Sequence, residues 1–369
     1  MQFVASVPAL LVLLLSGCTL LPLGGQPTGR PGGTPSPLGH GWNDYRVAFH
    51  CHSYLSHDSD GSPERIATSA REIGLNAVIL NDHYEPGNIT ASPRGVVDGV
   101  LFIPGVELRG MGGSLLAFGL REDFDKQAGS AELSKIFRAK DGVVAGGHIE
   151  RIDTWSIPVD AIEVYNLHAE FTQKSPWSIL WRFLILPADK FFEGMISHPT
   201  ENIAAWDRLL SQGKRPAPLV GCDAHENIRL FGPLGGTVGT YKEIFRLFSN
   251  HVLATELRQD LIVDAIREGR VYSVFDYLGD ASGFQMAYGR SDADSVRAVI
   301  GEKAAYDPEA ILEIIVPLEA EIRLIVDGEI TAEVRGKRLA KRLTGPGVYR
   351  AEVLRDGRLW ILPSPIFVE

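Results

Sequence analysis

Short apolar runs alternate with stretches of helical period from about residue 42 to residue 276. Arg46–His52, Asn76–Asp82, Val100–Glu107, Gly142–His148, Ala161–Asn166, Ala217–Asp223 and Val271–Phe275 have the length and apolar character of strands. Between the first two, Ile66, Ala67, Ala70 and Ile73 recur on one helical face. Ser62 is a suitable N-cap there, Pro63 fits the first helical position, and Gly74 suits the C-terminal end. Leu133–Ala139, Glu201–Leu210 and Leu257–Glu268 read as further helices. Such alternation predicts an α/β fold of parallel strands with helices outside, either a barrel or an open sheet. In both architectures chemistry collects at the C-terminal ends of the strands.

The pattern breaks in three places. Ser175–Phe192, rich in Trp and Phe, interrupts the alternation and reads as a lid, an apolar patch near a membrane, or an extra packed helix. After about residue 305 the runs become short and β-like: Ala310–Val316, Glu321–Val326, Tyr349–Val353 and Trp360–Val368, with turns at Asp327-Gly328 and Gly345-Pro346-Gly347. This predicts a small all-β module over residues 305–369, behind a main domain over 43–304. At the other end, Ala9–Leu15 is wholly apolar and closes on Leu15-Ser16-Gly17-Cys18. Small residues before a cleavage point fit a processed signal over residues 1–17, although Met1-Gln2-Phe3 carries no basic residue. An uncleaved anchor over Phe3–Leu23 is the alternative. Residues 18–42 are dominated by Gly and Pro and read as a flexible tether.

Metal-binding residue types stand at the ends of the apolar runs: His50-Cys51-His52, Asn81-Asp82-His83, Glu107, Gly147-His148 and Cys222-Asp223-Ala224-His225. Imidazole and carboxylate together hold zinc, manganese or iron while leaving room for water. Any one of these groups is weak evidence, because two histidines on alternate residues share a strand face for many reasons. Their recurrence at strand ends is the signal. Asp82 reads as an orienting residue beside a ligand, Glu163 and Asn166 as polar strand-end residues, and Arg151, His168 and His198 as rim residues.

The chain has 369 residues and a net charge of -10, which argues against a nucleic-acid partner. Its three cysteines cannot form a disulfide framework, and Cys51 and Cys222 read as small buried thiols.

Taken in order, His50-Cys51-His52-Ser53, Ser59-Asp60-Gly61-Ser62-Pro63, Asn81-Asp82-His83, Pro104-Gly105-Val106-Glu107, Gly147-His148, Ile162-Glu163-Val164-Tyr165-Asn166 and Cys222-Asp223-Ala224-His225 resemble the PHP (polymerase and histidinol phosphatase) superfamily. The β tail further resembles its carbamate-hydrolase branch, and Leu15-Ser16-Gly17-Cys18 resembles a lipoprotein lipobox with Cys18 as the lipidated residue. The resemblance implies a distorted (β/α)7 barrel with two or three divalent ions (Zn, Mn or Fe) in its mouth. His50, His52, Glu107 and Asp223 would hold one ion, His83 and His225 would help hold a second, and Glu107 would bridge towards His148. A further ligand after His52 could be His57 or Asp60, and spacing favours His57. No histidine lies between Glu107 and His148, and His168 or His198 could substitute for the ligand expected there.

The expected activity is metal-dependent hydrolysis of a small-molecule ester, first of all a phosphoester, with Asp223 and His225 as catalytic residues. The cations would acidify water and offset charge on the attacked group. Arg94, Arg109 and Arg151 are the candidate phosphate partners. The alternatives are a carboxyl-ester, carbamate or amide hydrolase on the same site, and a non-catalytic metal-binding module. In each case the chain would sit in the bacterial envelope, held at the membrane through its N-terminus.

Overall fold

The computed structural model describes residues 33–37, 41–110, 113–124, 130–149, 157–186, 188–229, 237–289 and 296–369. Cys18 and Arg151 lie outside them. The described part is a mixed α/β fold with a C-terminal β region.

Most of the described strands fall in two sheets, and Ile228–Arg229 pairs with Thr237–Val238 in a short third. In the larger, Asn43–Cys51 runs parallel to Ala77–Leu80, which runs parallel to Val100–Ile103. On its other side Asn43–Cys51 pairs antiparallel with Ser249–Ala254, which pairs with Val271–Val274. The second sheet runs Ala217–Gly221, Ala161–Asn166, Val143–Gly147, Gly113–Phe118, Gly105–Gly110, Asp82–His83. Its two pairings along Gly113–Phe118 are antiparallel. Regular strand–helix alternation is therefore interrupted by a hairpin. The expected single strand Val100–Glu107 is divided at Pro104, which has no N–H to donate. Its halves, Val100–Ile103 and Gly105–Gly110, belong to different sheets.

The sheets face one apolar interior. Val47, Phe49, Ile79 and Ile103 from the first meet Leu116, Phe118, Val143 and Leu219 from the second. The helix Gln259–Arg267 contributes Ile262, Val263 and Ile266 to the same interior. Backbone bonds stitch the sheets at one end: Cys222 N–H donates to Phe49 O at 3.0 Å and His52 N–H to Ala224 O at 3.0 Å. These bonds bring the segment carrying Asp223 and His225 beside the segment carrying His50 and His52.

The helix Pro63–Ile73 forms as its sequence requires. Ser62 Oγ accepts from Arg65 N–H, Pro63 opens the helix, and Gly74 closes it with φ 79°. Ile66, Ala67, Ala70 and Ile73 are its buried face.

The C-terminal β region continues the larger sheet. Arg358–Pro363 pairs with Val271–Val274 on one side and Gly347–Arg355 on the other. Ile311–Val326 and Glu329–Arg342 form a long hairpin about Asp327-Gly328, whose φ values of 50° and 90° suit a tight two-residue turn. Gln285–Gly289 and Val296–Val299 join this region through Ile311–Val326, so its pairing begins ahead of residue 305.

Candidate metal centre

The side chains at the stitched strand ends converge. His50 Nε2 lies 3.5 Å from Asp223 Oδ1 and 3.8 Å from Glu107 Oε2. His52 Nε2 lies 3.2 Å from Asp223 Oδ1 and 3.8 Å from Glu107 Oε2. Bonds of about 2.1 Å in a tetrahedral site put neighbouring donors about 3.4 Å apart. Two imidazole nitrogens and two carboxylate oxygens already stand near that spacing.

The backbone is held in an uncommon conformation to achieve this. His50, His148 and Asp223 have φ of 61°, 49° and 49°, a left-handed region that non-glycine residues rarely adopt. His50 coincides with a register shift between Ala48 and Cys51, where a bulge turns the strand and re-aims the side chain.

Outer hydrogen bonds decide which nitrogen faces the centre. His50 Nδ1–H donates to Glu163 Oε1 at 2.6 Å, so in the neutral ring the lone pair is on Nε2. Glu163 Oε1 also accepts from Asn166 Nδ2 at 3.0 Å, and Oε2 from the His148 N–H at 2.9 Å. Both oxygens are thus engaged, and Glu163 orients His50 rather than offering a free donor atom. For His52 the argument passes through Ser56. The Ser56 hydroxyl gives its proton to Asp82 Oδ1 at 2.9 Å, because a carboxylate only accepts. Ser56 Oγ must then accept from His52 Nδ1 at 3.0 Å, which again leaves the lone pair on Nε2. Asp82 is fixed in turn by the Ser53 N–H at 2.6 Å and the Ser53 hydroxyl at 2.8 Å.

The consequence is visible in the burial. His50 and His52 are fully buried, yet neither Nε2 has a hydrogen-bond partner. Buried polar atoms are normally satisfied. Nor does any Lys or Arg among the described residues pair with the buried Glu107, Glu163 or Asp223. Two orphaned Nε2 atoms facing carboxylates that no described Lys or Arg neutralises fit a cation, and a mixed imidazole and carboxylate set suits zinc, manganese or iron.

A second group adjoins the first. His83 Nδ1 lies 3.0 Å from Glu107 Oε2 and its Nε2 lies 3.1 Å from Asp58 Oδ2. His225 Nδ1–H donates to Asp223 O at 2.9 Å, and Nε2 stands 3.6 Å from Asp58 Oδ2. The His52 and His225 rings stack at 4.0 Å. On the opposite side His148 Nε2 is 3.7 Å from both Glu107 Oε1 and Asp223 Oδ2. Ser114 Oγ–H donates to Glu107 Oε1 at 2.7 Å. Glu107 thereby faces all three groups of histidines.

Charge follows geometry. Burial opposes protonation of His50, but Glu163, Asp223 and Glu107 outweigh it and raise its pKa well above the ordinary range, so without an ion Nε2 holds a proton that a bound cation would replace. His83 is likewise raised to about 9, since Asp58 and Glu107 overcome its burial. His52 falls to about 3 through burial, assisted by its neighbours His225 and His50. Burial works against ionisation of Glu107 and Asp223 too, yet the surrounding imidazoles hold both well below the usual carboxylate range.

Of the sequence-predicted residues, His50, His52, His83, Glu107, His148, Asp223 and His225 are brought together, with Asp82, Glu163 and Asn166 behind them. Asn166 Nδ2 also donates to Asp223 Oδ2 at 3.2 Å. His57 is not drawn in: its side chain is 68% exposed. Asp60 is exposed as well and belongs to none of the ligand groups. Asp58, between them, reaches His83 and His225 instead. His168 sits exposed at the rim, 6.2 Å from His225 ring to ring. His198 faces elsewhere, towards Thr200 and Glu352 of the β region. Arg94 is turned onto the carbonyls of Ile89 and Arg121, whereas Arg109 Nη2 reaches His83 Nε2 at 3.3 Å. Burial pushes the Cys222 thiol up to about 12 and raises Cys51 well above its ordinary value. Asp58 and Ser56 were not anticipated. Nothing in the residue spacing separates Asp58 from its two neighbours, and a serine among several in one turn carries no signal of its own.

No family model matches the sequence, and no curated protein matches it. Among solved structures, the chain is similar to a two-domain protein from Bacteroides vulgatus containing a predicted PHP-like metal-dependent phosphoesterase. The identity is 16% and the TM-score 0.41, over 91% of this chain and 99% of that one. It is also similar to a candidate metal-dependent phosphoesterase from Bifidobacterium adolescentis, with 13% identity and a TM-score of 0.32, over 52% of this chain and 90% of that one. At such TM-scores neither similarity establishes what this chain does.

Proposed function

We propose that the chain is a metal-dependent hydrolase, and first of all a phosphoesterase. The observation that carries this reading is the pair of buried, unpartnered Nε2 atoms of His50 and His52 facing Glu107 and Asp223. In this reading those four residues bind one divalent ion, and Asp58, His83 and His225 bind a second beside it. Divalent ions held there would supply Lewis acidity, acidifying water and offsetting negative charge on the ester. Glu163, and Asp82 acting through Ser56, keep the ligand imidazoles in the coordinating tautomer. His168, beside His225 and outside the ligand groups, would donate the proton that the leaving group needs. The two facing sheets would be halves of a distorted (β/α)7 barrel whose mouth carries the site.

Arg109 is what favours a phosphoester over a carboxyl ester or carbamate. Its guanidinium reaches the cluster through His83, where a phosphoryl oxygen could pair with it. The aromatic insertion gives no support to an aryl pocket, since Trp177 and Trp181 are turned to solvent. A panel of p-nitrophenyl phosphate, bis-p-nitrophenyl phosphate and a naphthyl carbamate, each assayed with added Zn, Mn or Fe, tests the assignment. Metal-dependent turnover of a phosphoester supports it. Turnover of the carbamate alone reassigns the substrate, and metal binding without any turnover identifies a non-catalytic module.

A further inference from the structure

The helix Pro176–Ile185 presents an unusual face. Trp177, Trp181 and Ile185 are 73%, 62% and 68% exposed. They follow one another at four-residue steps, so they form a single stripe along the helix. The opposite side is fixed to the body: Ile179 packs against the core, and Arg182 Nη1 donates to Gly194 O at 2.6 Å. The stripe therefore cannot roll inward without breaking these contacts. Two tryptophans left in water are costly to explain as ordinary surface, whereas Trp206 and Trp360 are fully buried.

A second observation says what covers them. The N-terminal sequence combines the apolar run Ala9–Leu15, the tetrapeptide Leu15-Ser16-Gly17-Cys18 and a Gly/Pro-rich tether over residues 18–42. Of that stretch Thr34–Pro35 is paired with Asn43–Asp44, so residues 18–32 would do the spanning, about 50 Å when fully stretched, which keeps the folded body near a bilayer without orienting it. Single lipid anchors hold weakly, and a second contact is what makes attachment stable. Tryptophan is the side chain best suited to that contact, because its ring seats at the membrane–water boundary.

We propose that the helix Pro176–Ile185 is a second membrane contact, with the Trp177–Trp181–Ile185 stripe seated in the interfacial layer of the bilayer to which the N-terminus tethers the chain. The helix lies shortly after Asn166 and His168, so docking would fix the metal centre at a set height over the lipid surface. This goes beyond the hydrolase reading and does not depend on it.

The test uses the full chain with phosphatidylethanolamine–phosphatidylglycerol vesicles whose acyl chains are brominated, which quenches tryptophan emission on contact. Residues 1–41 contain no tryptophan, so N-terminal insertion by itself gives no signal. The wild type should be quenched, and Trp177→Ser/Trp181→Ser should lose at least about half of that quenching, with thermal midpoint and metal content unchanged. Ile185→Glu keeps both tryptophans and should also reduce it. Equal quenching of wild type and Ile185→Glu would overturn the proposal. So would concentration-dependent dimerisation that alone protects the tryptophans, or loss of vesicle-free turnover in the serine variant with quenching unaltered, which would make the helix a substrate lid.

Discussion

His50 Nδ1 lies 2.6 Å from Glu163 Oε1, and this one contact determines which nitrogen of His50 faces the candidate metal centre. Neutralising Glu163 while keeping its shape should therefore weaken metal binding without removing a ligand. Glu163→Gln is expected to cost about 10–100-fold in metal affinity. Titration calorimetry reads this directly, and circular dichroism should be unchanged.

Gly221 gives an independent route to the same effect. A Cβ there would stand 1.8 Å from Glu163 Oε1, with no room for both. Gly221→Ala should displace the carboxylate and reproduce most of the Glu163→Gln loss, although Gly221 touches no cation. Unchanged affinity in this variant would remove Glu163 from the account.

Asp58 and His57 are neighbours with opposite expectations. Asp58→Ala removes a carboxylate that faces both His83 and His225 and should lower metal-dependent turnover at least about ten-fold. His57→Ala, at an exposed side chain, should change it less than about two-fold. Parallel kinetics of the two variants separate them.

This contrast marks where sequence reading reaches its limit. The residues that converge on the candidate site were legible because each stands at the end of an apolar strand, and a strand end is a position that pattern alone locates. The candidate in the 56–60 turn was not, since turn geometry rather than spacing selects among His57, Asp58 and Asp60. The left-handed backbone at His50, His148 and Asp223 was equally hidden, because no glycine announced it. In the fold, Ala161–Asn166 and the helix Pro63–Ile73 were legible from periodicity and caps. Glu329–Arg342 was not: it is a largely exposed, charge-rich strand whose pairing with Ile311–Val326, not its composition, keeps it extended. The split at Pro104 depends on which sheet each half joins, a non-local choice.

The buried thiols should be chemically silent. A free thiol near pKa 9 is partly ionised at pH 8, but Cys222 is pushed up to about 12 by burial, and Cys51 is raised too. Their thiolate fraction stays negligible as long as the chain is folded. Iodoacetamide at pH 8 should leave both unmodified in the native protein and label both in denaturant, as mass spectrometry would show.

Arg350 ties the β region to the helix Thr200–Ser211. Its Nε and Nη2 each donate to Asp207 at 2.7 Å, and Nη1 donates to Glu352 at 2.7 Å. The guanidinium is nearly buried, so Arg350→Ala strands two carboxylates and should destabilise the fold by about 3 kcal/mol. Denaturant unfolding measures the loss, and metal affinity of the folded variant should be preserved.

The most direct test is elemental analysis of chain purified without added ions, beside His52→Ala and Asp223→Ala prepared identically. The account predicts at least one, and up to two or three, divalent transition ions per wild-type chain, with most of that content lost in both variants. Acid should strip the ions as imidazoles take up protons. A wild type that retains no divalent ion at neutral pH, even after dialysis against zinc, manganese or iron, would contradict it.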